Sequence, residues 1–108
     1  MYMGVNVMFS SRLQNEQTDN LARAFLSLES MEDCYRLFED LFTIREIQDL
    51  SQRLEVAQLL QSQATYTEIV EKTGVSTATI GRVNRALNYG AGGYQRVLEK
   101  AEKKDIRE

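Results

Sequence analysis

Apolar residues recur along this chain at steps of three and four, and almost nothing interrupts them. The 108 residues include no Pro and only six Gly, so residues that break helices are nearly absent. A run such as Ile47, Leu50, Leu54, Ala57 and Leu60 places all of its members on one helical face. No alternating apolar segments flank a tight turn, so no hairpin is indicated. The sequence therefore predicts an all-α protein of six helices.

Hydroxyl residues followed three positions later by an acid mark where several helices begin. In such a capping box, each of the two side chains accepts a hydrogen bond from the other residue's backbone N–H. The starts of this kind are Ser30 with Asp33, Thr43 with Glu46, and Thr65 with Glu68. Ser76 can also cap a helix, without an acid three positions later. For the first helix, Thr18 or Asp19 is a suitable N-cap. We therefore expect helices over about 18–28, 30–42, 43–61, 65–73, 76–88 and 94–101.

The length of the chain predicts one domain, over 18–103, with functionally distinct segments. Residues 1–17 show no helical period and are interpreted as a flexible N-terminal arm. Residues 18–64 carry more apolar side chains than the core of a small three-helix domain needs, so we assign them to dimerisation. A helix-turn-helix is assigned to 65–88. The segment 89–108 holds a glycine-rich break, a short last helix, and a charged tail that should fray from Glu102 onward.

The net charge of −3 is unevenly distributed along the chain. Residues 1–64 hold five basic and ten acidic side chains, 65–88 hold three and two, and 89–108 hold five and four. An acidic body with a mildly basic C-terminal half can orient on DNA. The charge therefore allows a nucleic-acid partner without requiring one.

Several classes of function are excluded by residue types that the chain lacks. His is absent and Cys34 is the single cysteine, so zinc sites, Ser-His or Cys-His catalytic pairs and an intramolecular disulfide cannot form. The paired carboxylates Glu32-Asp33 and Glu39-Asp40 are interpreted as solvated helix surface. No apolar run approaches the ~20 residues of a membrane span, and one thiol fits a reducing compartment. We expect a cytoplasmic protein that is not an enzyme.

Two short helices joined at Gly74 fit a helix-turn-helix. Ile69 can pack against Ile80 and Val83, Val75 can anchor the turn, and Gly74 tolerates a positive φ. The second helix then begins with short outward side chains, as insertion into a major groove about 12 Å wide requires. Nearby basic side chains would contact phosphates and position the helix rather than specify a sequence. The candidate DNA-binding residues are Lys72, Ser76, Thr77, Ala78, Thr79, Gly81, Arg82 and Arg85.

Four short motifs resemble those of the tryptophan repressor superfamily. They are Leu41-Phe42-Thr43, Gln52-Arg53-Leu54, Thr65 to Glu68, and Thr77-Ala78-Thr79-Ile80-Gly81-Arg82. The closer match, to the Trp-repressor-like branch of the YerC/YecD type, runs through Gln52 to Ala57, Ser76 to Ile80, and Leu87 to Gly90. The resemblance covers about residues 20–101. It implies an intertwined all-helical homodimer with one helix-turn-helix per subunit and a role in DNA-binding regulation, with repression as the expected outcome.

The same resemblance implies a pocket for an amino-acid ligand. In the tryptophan repressor two arginines flank the indole, and Arg53 and Arg82 match their places. The candidate pocket residues are Thr43, Arg53, Thr79 and Arg82. Val83 stands where a glycine follows the second arginine, and Ala86 replaces a serine that helps to hold the ligand's amino group. These replacements allow an amino-acid-like corepressor but argue against tryptophan. In the alternative interpretation, the two arginines make surface salt bridges or phosphate contacts.

A homodimer is also expected because one helix-turn-helix reads only a few base pairs. Two-fold pairing would place two second helices about 34 Å apart on a palindromic site. The residues that could supply the interface are Phe25, Leu28, Leu37, Phe38, Phe42, Leu50 and Leu54. The alternatives are a monomer core for these residues and, for the whole chain, a helical adaptor that binds another protein without touching DNA. Tyr89 and Tyr94 are expected to pack the last helix, with stacking on bases or on a ligand as the alternative.

Overall fold

The computed structural model describes residues 9–107, with side chains described through residue 102. Within that range the chain forms six α-helices and no strand, which confirms the predicted all-α class. The helices are α1 (Glu16–Leu26), α2 (Met31–Leu41), α3 (Ile44–Gln61), α4 (Tyr66–Thr73), α5 (Thr77–Tyr89) and α6 (Gly93–Arg107). No helix in this part of the chain has the length and apolar content needed to cross a membrane.

The chain divides into two compact units, Met1–Phe42 and Thr43–Glu108. In the first unit an aromatic cluster joins the end of α2 to α1. The ring of Phe42 lies 6.4 Å from that of Phe25 and 6.1 Å from that of Phe38, edge-on in both pairs. Edge-to-face pairs at such distances are favourable. No apolar side chain of residues 9–42 is fully buried, however, and the one buried residue there is Asp19.

The second unit contains the hydrophobic core. Helix α3 packs against α4, α5 and α6, and α5 also packs against α4 and α6. The core is formed by side chains from all four helices: Val56, Ala57, Ile69, Ile80, Val83, Leu87 and Leu98. Ile69 and Ile80 have no exposed surface, as the helix-turn-helix interpretation requires of residues that join its two helices. This core fixes the position of α5, whose opposite face is exposed.

The first helix begins earlier than the sequence pattern predicted. Asn15 is its N-cap, with Oδ1 accepting a hydrogen bond of 2.8 Å from the backbone N–H of Thr18. The predicted caps were therefore wrong, because the Thr18 hydroxyl instead donates to the Leu13 carbonyl at 2.7 Å. Residues 16 and 17 consequently belong to α1 rather than to the proposed arm over 1–17, of which residues 1–8 lie outside the described residues.

The other helix ends follow the predicted caps with two differences. The boxes at Thr43 and Thr65 are both reciprocal, as expected. At α2 the Asp33 carboxylate accepts from the N–H of Glu29 at 3.0 Å rather than from that of the N-cap residue Ser30. The last helix continues to Arg107, so the tail expected to fray from Glu102 is helical.

Candidate nucleic-acid interface

The first helix of the candidate interface, α4, begins with a tight reciprocal cap. The Thr65 hydroxyl accepts from the N–H of Glu68 at 3.1 Å, and the Glu68 carboxylate accepts from the N–H of Thr65 at 2.7 Å. This backbone hydrogen bond, and after it the Thr65 side chain, lowers the pKa of Glu68 below its ordinary value of 4.5. A carboxylate that accepts hydrogen bonds is stabilised in its charged form. The cap therefore fixes the start of α4 with an ionised acid.

The turn between α4 and α5 has the geometry that the sequence predicted. Gly74 adopts φ +76° in the left-handed region, and its N–H donates to the carbonyl of Val70 at 2.8 Å. The Thr73 hydroxyl donates to the Ile69 carbonyl at 2.7 Å and accepts from the N–H of Val75 at 3.2 Å. Val75 packs against the core, as expected of the anchor after the turn. The turn therefore holds α5 at a fixed angle to α4.

The leading residues of α5 point away from this core. Ser76 is the N-cap, and its Oγ accepts from the N–H of Thr79 at 3.2 Å and donates to the Thr79 hydroxyl at 3.1 Å. Thr77 and Ala78 are exposed, whereas Thr79 and Gly81 are half-buried. None of these residues is enclosed in the subunit. The start of α5 therefore presents small side chains to solvent, with two hydroxyls already bonded to each other.

Three exposed cations lie near this surface without an acidic partner. Lys72, Arg82 and Arg85 are exposed, and none of them forms an ion pair with any side chain among residues 9–102. The ion pairs seen in that range are Arg23–Asp19, Arg36–Glu32 and Arg45–Asp49. Cations that are not neutralised locally can contact an anionic ligand without first breaking a salt bridge.

Beside the start of α5 a cavity of about 330 Å³ brings together three of the four predicted pocket residues. Its lining comprises Asp49, Gln52, Arg53, Val75, Ser76, Thr79 and Arg82. Asp49 is already paired with Arg45 at 3.6 Å, and neither Arg53 nor Arg82 forms an ion pair with any side chain among residues 9–102. Thr43 is not among the lining residues. Its hydroxyl caps α3 and accepts from the N–H of Glu46 at 3.1 Å.

The two replacements expected to alter a ligand pocket lie elsewhere in the subunit. Val83 is 2% exposed and belongs to the core. Ala86 lines a separate groove of about 450 Å³ with an almost wholly apolar wall, which includes Leu54, Tyr94 and Val97. Neither residue lines the cavity beside α5. Their effect on a ligand is therefore not exerted through the lining of this cavity within one subunit, and the argument against tryptophan stays a prediction.

The two tyrosines at the glycine-rich turn behave differently from each other. Tyr94 packs against the core as expected, whereas Tyr89 is 88% exposed. The expectation that Tyr89 packs the last helix was therefore wrong for this subunit. Tyr89 follows Arg85 by four residues and so lies on the same outward face of α5. Its helical spacing from Arg85 was a signal that the sequence analysis did not use.

Comparisons with known proteins agree with this architecture. The family description "Trp repressor protein" matches residues 16–102. The uncharacterized protein YerC of Bacillus subtilis (strain 168) is 51% identical over 89 residues, which cover 82% of this chain and 86% of that protein. The crystal structure of a TrpR-like protein from Eubacterium eligens ATCC 27750 has a TM-score of 0.80 and 52% identity, covering 83% of this chain and 93% of the other.

A second solved structure, from Staphylococcus aureus, has a TM-score of 0.79 and 44% identity, covering 83% of this chain and 90% of its own. These matches confirm the resemblance to Trp-repressor-like proteins of the YerC type that the short motifs indicated. The matched region includes all of α1 to α5 and most of α6. The chain belongs to the Trp repressor family.

Proposed function

We propose that this protein is a sequence-specific DNA-binding transcriptional regulator that acts as a homodimeric repressor through α4 and α5. The observation that carries the proposal is the outward start of α5, where small exposed residues lie beside cations without acidic partners. A helix with short leading side chains can bring its first turn close to base edges in the major groove. Membership of a family of regulators supports the same assignment, and a cytoplasmic location is proposed with it.

Within the interface we propose that some residues position the protein on DNA and that others read the bases. Lys72, Arg82 and Arg85 would contact phosphates, which fix the register of a protein on DNA but carry no base information. Thr77 and Ala78 would face base edges, where a methyl group can contact that of thymine. The hydroxyls of Ser76 and Thr79 bond to each other at 3.1 Å and so are partly occupied. Sequence preference is therefore assigned first to Thr77 and Ala78.

The homodimer is proposed because residues 18–64 leave apolar side chains uncovered. Residues 18–64 are assigned to dimerisation, and several of their large apolar side chains are exposed in the single subunit: Leu21, Phe25, Leu26, Met31, Tyr35, Leu41, Ile44, Leu50 and Leu54. A monomer seldom exposes so many large apolar groups. Two copies related by a two-fold axis would also present two α5 helices to one palindromic site.

Selection of duplexes from a random pool tests the proposal. We expect the wild-type protein to recover a symmetric motif and to bind it with a steep dependence on salt, since each phosphate contact releases counterions. Arg82→Ala combined with Arg85→Ala should weaken binding to the recovered duplex by at least about tenfold and flatten the salt dependence by about two contacts. Arg12→Ala combined with Arg36→Ala removes the same two charges from exposed positions of the first unit. This double variant is the matched control and should bind like the wild type. Failure to enrich any duplex would refute the proposal.

An amino-acid-like effector is proposed for the cavity beside α5. Arg53 and Arg82 line it, and two guanidinium groups there could hold a carboxylate by charge-assisted hydrogen bonds. Repeating the selection with and without a mixture of amino acids tests this, and Arg53→Ala should abolish any dependence on the mixture while preserving basal DNA binding. An identical motif and affinity in both conditions would remove the effector from the mechanism.

A helical adaptor is the second candidate, and the acidic N-terminal part of the chain favours it. Ten acidic residues against five basic ones in 1–64 oppose contact with DNA, and exposed apolar side chains such as Phe25 could bind another protein. An adaptor would show no salt-sensitive binding to any duplex. The selection above therefore separates the two candidates.

A further inference from the structure

Gly81 occupies a position where glycine weakens the helix. It is the fifth of thirteen residues in α5, well inside the helix. Glycine in a helix interior is less favourable than alanine, because it loses more backbone freedom on folding. A glycine at such a position therefore needs a reason outside helix propensity.

The subunit itself supplies no such reason. The backbone of Gly81 is not in the left-handed region, which among the described glycines is occupied by Gly74 and Gly92. A Cβ atom built on Gly81 would meet a single neighbour within 4 Å, the Nη1 atom of Arg85 at 3.9 Å, which is ordinary van der Waals contact. Gly90 shows the contrasting case, since a Cβ there would overlap the carbonyl oxygen of Ala86. Alanine would thus fit at position 81.

The residues around Gly81 indicate which kind of partner could approach it. Gly81 follows Ala78 by three residues and precedes Arg85 by four, so the three lie on one face of α5. That face is opposite the buried side chains of Ile80 and Val83. The guanidinium of Arg85 extends along the helix to the space above Gly81. The backbone of Gly81 has no side chain to cover it and lies beside the unpaired cation of Arg85. This arrangement suits the close approach of a large anionic surface.

We propose that Gly81 is a clearance residue, whose missing side chain lets the second turn of α5 approach DNA more closely than a Cβ would allow. The proposal rests on the DNA-binding function argued above and adds a positioning role for one residue. Close approach of a backbone to a ligand is one of the established uses of glycine. With Gly81 against the groove wall, the Arg85 guanidinium lies where it can contact the duplex.

Gly81→Ala tests the proposal because its two expected effects have opposite signs. The midpoint of thermal unfolding should rise by roughly 4–8 °C. Affinity for the duplex that the wild-type protein recovers from a random pool should fall by at least about tenfold, the effect of losing one good contact with the groove. Sedimentation should show the same oligomeric state as the wild type. A merely structural glycine would not give higher stability together with weaker binding.

Ser51→Ala is the matched control, because it also replaces a poorer helix former by alanine but lies in α3. The Ser51 side chain is exposed and bonds only the Ile47 carbonyl of its own helix, at 2.7 Å. Its variant should bind the recovered duplex like the wild type. Unchanged binding by Gly81→Ala, lower stability, or an altered oligomeric state would each overturn the clearance role while leaving DNA binding intact. If the wild type recovers no duplex, the proposed function fails and the clearance role fails with it.

Discussion

The two compact units differ in where their apolar side chains go. Every fully buried apolar residue in the described chain lies in the second unit, on α3 to α6. The first unit has two strongly amphipathic helices, yet its large apolar side chains remain at least partly exposed. Since burial of apolar surface is the main favourable term in folding, the second unit contains the means of its own stability and the first does not. We therefore propose that a partner, in the first place a second copy of this chain, covers the apolar side chains of the first unit.

The largest effect we predict comes from opening a cavity in the core of the second unit. Ile80→Ala removes a side chain with no exposed surface, and should lower the free energy of unfolding by about 2–5 kcal/mol. Denaturant unfolding of the variant and the wild type measures the difference. Val97→Ala on α6, where the side chain is 55% exposed, is the control and should cost far less. A cost below about 1 kcal/mol for Ile80→Ala would mean that the stability of the protein lies elsewhere.

A smaller effect should follow from truncating the aromatic cluster of the first unit. Phe25 is 39% exposed in the single subunit and contacts the edge of Phe42. If a second copy covers this face, Phe25→Ala should raise the dissociation constant of the dimer about 10- to 100-fold, which corresponds to about 1.4–2.7 kcal/mol. Sedimentation across a concentration series measures the change. Tyr89→Ala, an exposed aromatic in the second unit, should leave the dimer intact.

The Phe25 variant also separates the explanations for the first unit. A wild-type protein that sediments as a monomer at micromolar concentration would contradict the proposed dimer. The exposed face of α1 and α2 would then be open to a different protein, as the adaptor hypothesis requires. An unchanged dimer in Phe25→Ala would instead place the subunit contact on other residues, such as those of the apolar groove that includes Leu54 and Val97.

The features that sequence predicted best are those decided by residues a few positions apart. The boxes at Thr43 and Thr65 and the positive φ of Gly74 depend on local chemistry alone, and all three are present. The start of α1 was missed because three candidate caps compete there. Asn15 takes the position once the Thr18 hydroxyl is bonded to the Leu13 carbonyl, and this outcome depends on the path of the chain before the helix.

The candidate site shows the same limit at longer range. Arg53 and Arg82 are 29 positions apart, so only the family resemblance suggested that they share a cavity. Helical spacing alone could not separate Tyr89 from Tyr94, because the turn between α5 and α6 decides which ring reaches the core. Spacing places Tyr89 on the face of Arg85 because α5 extends to Tyr89, one residue beyond the predicted helix over 76–88. Local sequence patterns could not predict how α3 docks against α5.

The caps of the two units provide the finest comparison between them. At α1 and α2 the side chain of the N-cap residue accepts one backbone hydrogen bond, and these caps are not reciprocal capping boxes. At α3 and α4 the box is complete in both directions. Reciprocal caps satisfy two of the N–H groups at a helix start that would otherwise lack partners. Helices α3 and α4 are therefore fixed at their starts as well as in the core.

The smallest effect we predict is the dependence of the α4 cap on pH. Because the folded-state pKa of Glu68 lies below its ordinary value of 4.5, its ionised form stabilises the fold. That contribution is complete above the unfolded-state pKa and is lost as the pH falls through the folded-state pKa. Glu68→Gln should therefore unfold at a lower temperature than the wild type at pH 7, and the gap should narrow below about pH 4.

Glu71→Gln is the control for this titration, because it changes the same kind of charge on the same helix. Glu71 makes no hydrogen bond or ion pair with another side chain in residues 9–102. Its variant should show no stabilising gap at pH 7 that closes in acid. A gap for Glu68→Gln that stays constant from pH 7 to pH 3 would show that the cap acts through hydrogen-bond geometry alone. The charge of Glu68 would then add nothing to the fixed start of α4.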